Sequence, residues 1–211
     1  MLAIDSLLPK IVLCLATAAM VAASAAAETV PPVPIPAARA VILEAETASF
    51  NSARAQVVEQ TSFDSKRGVA LKDGATASVN EPAAEPDLVF PVQVARADRY
   101  VVRTHAATDA KGTEAMRRAR SKHDSIYLRI AVGQSRPTRR VVFVPWSPSE
   151  SCRQTLGTFA LDASEQTIRI WLPEGVRLDH VQLIPYTPPK VPPEAAAYQP
   201  PVTPPASRPR L

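Results

Sequence analysis

The sequence contains little cysteine, which excludes disulfide bonds as the main support of the fold. Two cysteines occur in 211 residues, Cys14 and Cys152. Cys14 lies in an N-terminal segment that we expect to be removed, and a single remaining thiol cannot form an intrachain disulfide. We expect Cys152 to be a buried or inert thiol, with an intermolecular disulfide as the alternative.

The sequence also lacks the local motifs of common catalytic sites. It has no G-x-S-x-G segment and no glycine-rich phosphate loop, and His105, His123 and His180 do not have the H-x-x-H spacing of metal ligands. Glu44 and Glu46 would lie only about 7 Å apart along a strand, too close to flank a glycosidic bond. The sequence therefore predicts no enzymatic activity and, without interleaved basic and aromatic residues, no nucleic-acid binding.

The N-terminal apolar run is too short to cross a membrane comfortably. It extends from Ile11 to Ala22, whereas a spanning helix needs about 20 apolar residues. It follows Lys10 and precedes Ala25–Ala27, as in a signal peptide with its cleavage site. We expect cleavage of residues 1–27, giving a secreted or periplasmic protein with no stable membrane span; a retained anchor is the alternative.

Proline, by contrast, is abundant, and its distribution delimits the folded part of the chain. The sequence has 22 prolines, many of them in residues 28–40 and 187–211. These segments hold few large apolar side chains, so they cannot bury enough surface to offset the entropy of ordering. We expect a proline-rich linker over 28–40, one folded domain over 41–186, and a disordered tail with polyproline II bias over 187–211.

Within the domain, short stretches of alternating apolar and polar residues predict about ten β-strands and no long amphipathic helix. Such a series, separated by turn residues, is typical of an antiparallel β-sandwich. The first predicted strand is Val41–Glu46, and a hairpin is predicted around Lys72–Gly74, between Gly68–Leu71 and Ala75–Val79. Residues 108–123 have a helical composition, but we favour a mobile basic loop.

The last two predicted strands have the clearest pattern. Ile168–Leu172 and Val176–Ile184 flank Pro173–Gly175, a turn-forming segment because proline presets φ and glycine tolerates positive φ. The apolar phase slips by one residue at Asp179–His180, which predicts a β-bulge. We expect the two strands to form a hairpin that closes the domain.

Basic residues exceed acidic ones, giving a net charge of +4, and they are clustered. The two clusters are Arg117, Arg118, Arg120 and Lys122, and Arg136, Arg139 and Arg140. Such clusters can attract anionic polymers, although a solvated surface is their commonest meaning.

Several short motifs follow one another along the chain. They are Glu44-Ala45-Glu46, Tyr100-x-x-Arg103, Asp124-Ser-Ile-Tyr127, a loop bearing Trp146, and the final Ile168–Val181 segment. In this order and spacing they resemble the carbohydrate-binding modules of families 6 and 35. The resemblance implies a galactose-binding-like jelly-roll fold, which is an antiparallel β-sandwich, and sugar binding by loops at one end.

The resemblance also implies a metal site and directs attention to candidate sugar ligands. It implies a structural Ca²⁺ held by Glu44, Glu46 and Asp179, whose oxygen ligands suit that ion; solvated carboxylates without a metal are the alternative. The candidate sugar-binding residues are Trp146, Asp124, Ser125 and Arg103. Trp146 could stack on a pyranose ring or cover the sandwich edge. Asp124 could bind hydroxyl groups with Ser125 or cap a strand, and Arg103 could bind a uronate.

The sequence thus predicts an exported, non-catalytic glycan-binding module, with an acidic polysaccharide as a candidate ligand. The chain has only 5% aromatic residues and 6 glycines, fewer than the resembled family usually has. The alternative function is therefore a structural or interaction protein of the cell envelope. Its β-sandwich would have lost sugar binding, and its proline-rich tail would serve as a spacer or bind an envelope protein partner.

Overall fold

The computed structural model describes residues 30–81, 84–142, 145 and 147–189. Within them, two six-stranded β-sheets enclose the main apolar core, and one α-helix packs beside them. The elements are β1 Val33–Ile35, β2 Val41–Glu44, a 3-10 helix Ala45–Thr47, β3 Ser49–Phe50, β4 Ala55–Glu59, β5 Arg67–Leu71, β6 Leu88–Val94, β7 Asp98–Thr108, α1 Ala110–Ser121, β8 Tyr127–Val132, β9 Thr138–Val141, β10 Ser151–Leu161, β11 Glu165–Trp171 and β12 Val176–Pro185.

The strand orders confirm the predicted β-sandwich. The first sheet runs β1-β6-β11-β8-β9, with β3 also paired to β6, and the second runs β10-β7-β12-β5-β4, with β2 also paired to β12. Among the described strands, every pairing is antiparallel except that of β1 with β6. The inward positions of both sheets are apolar and fully buried, for example Ile168 and Ile170 in the first sheet and Val102 and Leu183 in the second.

The bulge predicted at the end of the chain is confirmed. The register of β12 against β7 shifts between Leu178 and His180. Core-facing positions are even-numbered before the bulge, as at Leu178, and odd-numbered after it, as at Val181. Because the bulge inserts one residue, Asp179 and His180 both lie on the outer face of the second sheet.

The strand partners differ from those expected from the sequence. The prediction that the last two strands form a hairpin is wrong. β11 lies in the first sheet and β12 in the second, so the turn at Pro173–Gly175 connects the two sheets. The prediction of a hairpin over residues 68–79 is also wrong, because β5 pairs with β4 and residues 75–79 form no strand. Alternation specifies which residues are buried in a strand but not which strand lies beside it, and tertiary packing decides the latter.

The basic loop favoured for residues 108–123 is instead helix α1. The Asp109 carboxylate caps the helix by accepting a hydrogen bond from the backbone N–H of Gly112 at 2.9 Å. Arg118 and Arg120 lie in the last turn, where a positive charge favours the helix dipole. Met116 is buried in the main core, and this contact supplies the tertiary packing that a short helix needs.

The structure also differs from the sequence prediction near the N-terminus. The first strand ends at Glu44 rather than Glu46, because the 3-10 helix follows it. The segment 28–40, predicted as a linker, includes β1, and Pro34 is tolerated there because β1 is an edge strand. Most of the predicted signal peptide and tail, over 1–29 and 190–211, lies outside the described residues. In the described part of the chain no helix is long and apolar enough to cross a bilayer.

Candidate functional site

A cluster of aspartate and histidine side chains lies on the outer face of the second sheet. Asp179 and His180 come from the bulge in β12, His105 from β7, and Asp64 from the loop between β4 and β5. Their potential ligand atoms all lie within 4.8 Å of one another. Asp64 is exposed and the other three side chains are buried, so the Asp/His cluster reaches solvent through Asp64.

Sheet register brings these residues together from distant parts of the sequence. His180 lies directly opposite His105 on β7 and directly opposite Glu44 on β2. Residues opposite one another on neighbouring strands share a face of the sheet and have close side chains. The pairing of β2 with β12, expected from the family resemblance, is confirmed.

The Asp179 carboxylate is the centre of the cluster. It is fully buried, and its Oδ2 atom lies 2.7 Å from Nδ1 of His105 and 2.9 Å from Nδ1 of His180. The Ser65 hydroxyl donates to its Oδ1 atom at 3.0 Å, and the backbone N–H of Asp64 donates to Oδ2 at 3.4 Å. A buried carboxylate is tolerated only when it is paired and hydrogen-bonded, and these contacts meet that need.

The loop between β4 and β5 covers the cluster. Its backbone closes on itself, because Gln60 donates to the Lys66 carbonyl at 3.0 Å and Phe63 donates to the Gln60 carbonyl at 3.1 Å. The Phe63 ring packs on the His105 ring with 5.4 Å between centroids. Arg153 binds the Asp64 carboxylate, and this hydrogen bond holds the pKa of Asp64 below its usual range. The loop therefore presents an ionised carboxylate above His105.

A serine extends the cluster to the edge of the sheet. His105 Nε2 lies 2.7 Å from the Ser151 hydroxyl oxygen, so Asp179, His105 and Ser151 are connected like a hydrolase triad. However, the Ser151 hydroxyl donates to the Ser62 carbonyl at 2.8 Å. With its proton directed there, Ser151 cannot donate it to His105, so this arrangement does not activate Ser151 as a nucleophile.

The calcium ligands implied by the family resemblance lie beside this cluster, since Glu44 is opposite His180 in the sheet. The Oε2 atoms of Glu44 and Glu46 are buried and have no hydrogen-bond partner among the described residues, which by itself would suit a cation. Ca²⁺ takes only oxygen ligands, however, and the groups nearest the Asp179 carboxylate include the imidazole nitrogens of His105 and His180. The structure supports a mixed acid and histidine cluster that could hold a metal.

Replacing Glu44 should distinguish these two possibilities. Burial, and then the negative charge of Asp179, raise the pKa of Glu44 above 4.5, so the ionised carboxylate destabilises the folded chain. We expect Glu44→Gln to raise the melting temperature at neutral pH in EDTA by about 2 °C, or on the order of 0.5 kcal/mol for a half-exposed group. The gain should vanish as the pH falls through the raised pKa towards 4.5, because Glu44 then becomes neutral.

The control for this measurement is Glu59→Gln, an exposed position on β4. It should leave the melting temperature unchanged across the same pH range. A different result would support the calcium site implied by the resemblance: added Ca²⁺ would stabilise the parent chain but not Glu44→Gln.

Two of the predicted sugar-binding residues lie in a cleft beside strands β8 and β9 of the first sheet. Asp124 and Ser125 connect α1 to β8, and with Arg120, Ile126 and Val141 they line a small cleft between α1 and β9. Asp124 is exposed, and its Oδ1 atom accepts a hydrogen bond from the backbone N–H of Ser125 at 2.8 Å. We refer to this feature as the α1–β9 cleft.

The other two predicted sugar-binding residues are not in the described part of this cleft. Arg103 is exposed on β7, in the second sheet, where its Nε donates to the Thr155 hydroxyl at 3.2 Å. Trp146 lies outside the described residues, so its predicted role stays a prediction. The structure therefore brings Asp124 and Ser125 together but places Arg103 on the other sheet.

The two basic clusters predicted from the sequence lie at different clefts: Arg120 of the first lines the α1–β9 cleft, whereas Arg136 and Arg139 of the second line an open cleft with Val79 and Arg129. The first lies on and just after α1, and the second lies on β9 and the turn before it. Arg139 stacks on the Tyr127 ring with 4.1 Å from its guanidinium carbon to the ring centroid, and Arg140 lies 5.5 Å from the Phe159 centroid. Arg117 is 3.7 Å from the Glu114 carboxylate. Of the basic residues in these two clusters, Arg120 is the one that lines the α1–β9 cleft.

Comparison with known proteins identifies the fold. No family model matches the sequence, and no curated protein does either. A GH26-CBM35 β-(1,4)-mannanase from Podospora anserina matches 73% of this chain and 29% of its own chain, with 17% identity and a TM-score of 0.51. A Bacillus thuringiensis Cry1Da tryptic core variant matches 74% of this chain and 25% of its own, with 12% identity and a TM-score of 0.54.

A shorter solved structure matches almost its full length. The family 35 carbohydrate-binding module from Clostridium thermocellum matches 68% of this chain and 98% of its own, with 16% identity and a TM-score of 0.49. The two matches with TM-scores of 0.51 and 0.54 agree with the predicted jelly-roll β-sandwich fold. The chain spans only 29% of the mannanase and 25% of the Cry1Da variant, so the similarity concerns the fold.

Proposed function

We propose that this chain is an exported, non-catalytic glycan-binding module. The observation that carries the proposal is the α1–β9 cleft of about 50 Å³, which is lined by both polar and apolar side chains and has room for one edge of a sugar ring. Asp124 and Ser125 offer hydrogen bonds to hydroxyl groups, and Ile126 and Val141 offer apolar contact. Small-molecule sites typically combine apolar lining with a few polar groups that fix orientation. The jelly-roll fold supports the same function.

The charge around the cleft supports an acidic glycan as the ligand. Arg120 lines the cleft, and Arg117, Arg118 and Lys122 are exposed on or just after the same helix. A guanidinium can bind a carboxylate with two parallel hydrogen bonds, which suits the carboxylate of a uronate. The net charge of +4 would also attract an anionic polymer over longer distances.

Binding of the full-length chain to polygalacturonic acid and to a neutral mannan tests the proposal. We expect the acidic polymer to bind and its affinity to fall as salt is added, because salt screens exposed charges. Asp124→Asn keeps the acceptor for the Ser125 N–H and should weaken binding about tenfold through loss of a charge-assisted hydrogen bond. Arg120→Ala should weaken binding of the acidic polymer, whereas Arg67→Ala, exposed on β5, is the matched control.

The alternative function makes a different prediction. If the chain binds neither polymer but retains a protein from an envelope extract, it is an interaction protein that lacks sugar binding. If sugar binding is present but Arg120→Ala and Asp124→Asn bind as well as the parent chain, the α1–β9 cleft is not the site. Trp146→Ala then tests the remaining sequence prediction.

Calcium at Glu44, Glu46 and Asp179 remains an expectation from the family resemblance. A melting temperature that does not change between EDTA and added Ca²⁺ would rule it out. The glycan proposal does not depend on the result, because the α1–β9 cleft and the Asp/His cluster lie beside different sheets.

A further inference from the structure

The positions of the protons in the Asp/His cluster can be assigned from its outermost acceptor. The Ser62 carbonyl oxygen can only accept, so the hydroxyl of Ser151 donates its single proton there, over 2.8 Å. His105 Nε2 is 2.7 Å from the same hydroxyl oxygen and must therefore carry a hydrogen and donate it. A neutral imidazole has one N–H group, so the other nitrogen of His105, Nδ1, presents a lone pair.

That lone pair is directed at a buried anion. Nδ1 of His105 lies 2.7 Å from Oδ2 of Asp179, and two electron-rich atoms at this distance need a cation between them. The cation is either a second proton on His105 or a metal ion. His180 directs its own Nδ1 at the same oxygen from 2.9 Å.

The surrounding groups offer a metal ion several ligands at once. The His105 and His180 rings lie side by side with 5.2 Å between centroids, and both direct Nδ1 at the same Asp179 oxygen. A divalent ion would use the lone pairs of both Nδ1 atoms at once. It would also bring the exposed Asp64 carboxylate into use, and Asp64 gives the ion a route from solvent.

We propose that Asp64, His105, Asp179 and His180 bind Zn²⁺. Imidazole nitrogens and carboxylate oxygens are zinc ligands, and four of them suit the tetrahedral coordination of a structural site. Ca²⁺ requires six to eight oxygen ligands, which this set does not provide. The inference goes beyond the proposed function, since zinc would join β7, β12 and the β4–β5 loop whatever ligand the α1–β9 cleft takes.

The neighbours of the four ligands have the arrangement found around metal-binding histidines. Such a histidine normally donates its second ring N–H to a fixed acceptor, which orients the ring. His105 does so to Ser151, and Ser151 is in turn held by the Ser62 carbonyl. Arg153 holds Asp64 through its Oδ2 atom, and a carboxylate has a second oxygen with which to bind a metal.

The test is titration of the full-length chain, freed of metal by a chelator, with ZnCl₂ and separately with CaCl₂. We expect one Zn²⁺ per chain, a rise in melting temperature as the zinc concentration exceeds Kd, and no response to Ca²⁺ at the same concentrations. Co²⁺ provides a second readout, because its visible absorption reports tetrahedral coordination with nitrogen ligands.

Variants locate the ion. Asp64→Asn changes an exposed ligand and should spare the fold while lowering zinc affinity about tenfold or more. Ser151→Ala should lower the zinc affinity about 10- to 100-fold, because it removes the hydrogen-bond acceptor that orients the His105 ring. His180→Gln should abolish binding, whereas His123→Gln, at the exposed third histidine, is the matched control and should bind like the parent chain.

Three results would overturn the proposal. A cooperatively melting chain that binds no Zn²⁺ would assign the cation to a proton on His105. Unchanged zinc affinity in both Asp64→Asn and His180→Gln would place the ion elsewhere. Stabilisation by Ca²⁺ in place of Zn²⁺ would assign the site to an oxygen set that includes Glu44 and Glu46. If His180→Gln does not fold, Asp64→Asn and the Co²⁺ spectrum still decide the question.

Discussion

Gly175→Ala should destabilise the folded domain by about 3 kcal/mol. Gly175 has φ of +72°, a conformation that costs a residue with a Cβ atom roughly 1 kcal/mol. A Cβ atom there would also lie 2.3 Å from the backbone nitrogen and 2.5 Å from the Cα atom of Gly112, in the first turn of α1. These are backbone atoms, so the helix itself would have to move, at an overpacking cost of about 2 kcal/mol.

The matched control is Gly74→Ala. Gly74 has a similar φ of +83°, but a Cβ atom there would meet nothing within 4 Å. It should therefore show only the backbone cost of roughly 1 kcal/mol. Urea denaturation followed by circular dichroism measures both variants. Equal losses of stability would show that the close approach of α1 to the β11–β12 turn does not matter.

The same substitution should affect the α1–β9 cleft. The Asp109 N–H donates to the Gly175 carbonyl at 3.0 Å, so the turn between the sheets holds the start of α1. The far half of α1 forms one wall of the cleft. Weaker binding of polygalacturonic acid by folded Gly175→Ala would show that helix position matters for the proposed function.

Asp87→Ala should destabilise the domain by about 3–4 kcal/mol. Asp87 is fully buried; it accepts hydrogen bonds from Nε of Arg54 at 3.0 Å and from the backbone N–H of Leu172 at 2.8 Å. Removing the carboxylate would leave a partly buried guanidinium and a buried N–H without their acceptor. Loss of one partner of a buried ion pair typically costs about 3–5 kcal/mol, and Arg54 is partly exposed, so we expect the lower part of that range.

Two further variants separate charge from hydrogen bonding at this position. Asp87→Asn keeps an acceptor and should lose less stability than Asp87→Ala. Asp73→Ala removes the exposed ion pair with Lys111, 2.6 Å long, and should change the stability little because solvent screens it. Thermal melting of the three chains measures the order. If Asp87→Ala melted like Asp73→Ala, the buried pair would contribute nothing to the fold.

The Asp/His cluster shows most clearly what could not be predicted from the sequence. His105 and Asp179 are 74 positions apart, and the histidines lack any local metal-binding spacing. A local spacing is not needed for them to converge, because His105 and His180 meet through strand register rather than along one strand or helix. The bulge at Asp179 was predictable, but the strand lying opposite it was not.

Helix α1 shows the same limit at the level of secondary structure. The composition of residues 108–123 allowed either a helix or a basic loop. Three features stabilise the helix: the Asp109 cap, the burial of Met116, and the contact of Gly112 with Gly175. Two of these three depend on elements far along the chain, so the local sequence leaves the choice open.

The amino-acid sequence alone determined that the domain is a β-sandwich and where most of its strands lie, because alternating burial is a property of a few consecutive residues. It also determined the slip at Asp179–His180, which the bulge confirms. Only the tertiary structure decided which strands are neighbours, that β11 and β12 belong to different sheets, and that two aspartates and two histidines converge. The physical reason is that hydrogen-bonded pairing joins residues of any sequence separation, and no local pattern records the partner.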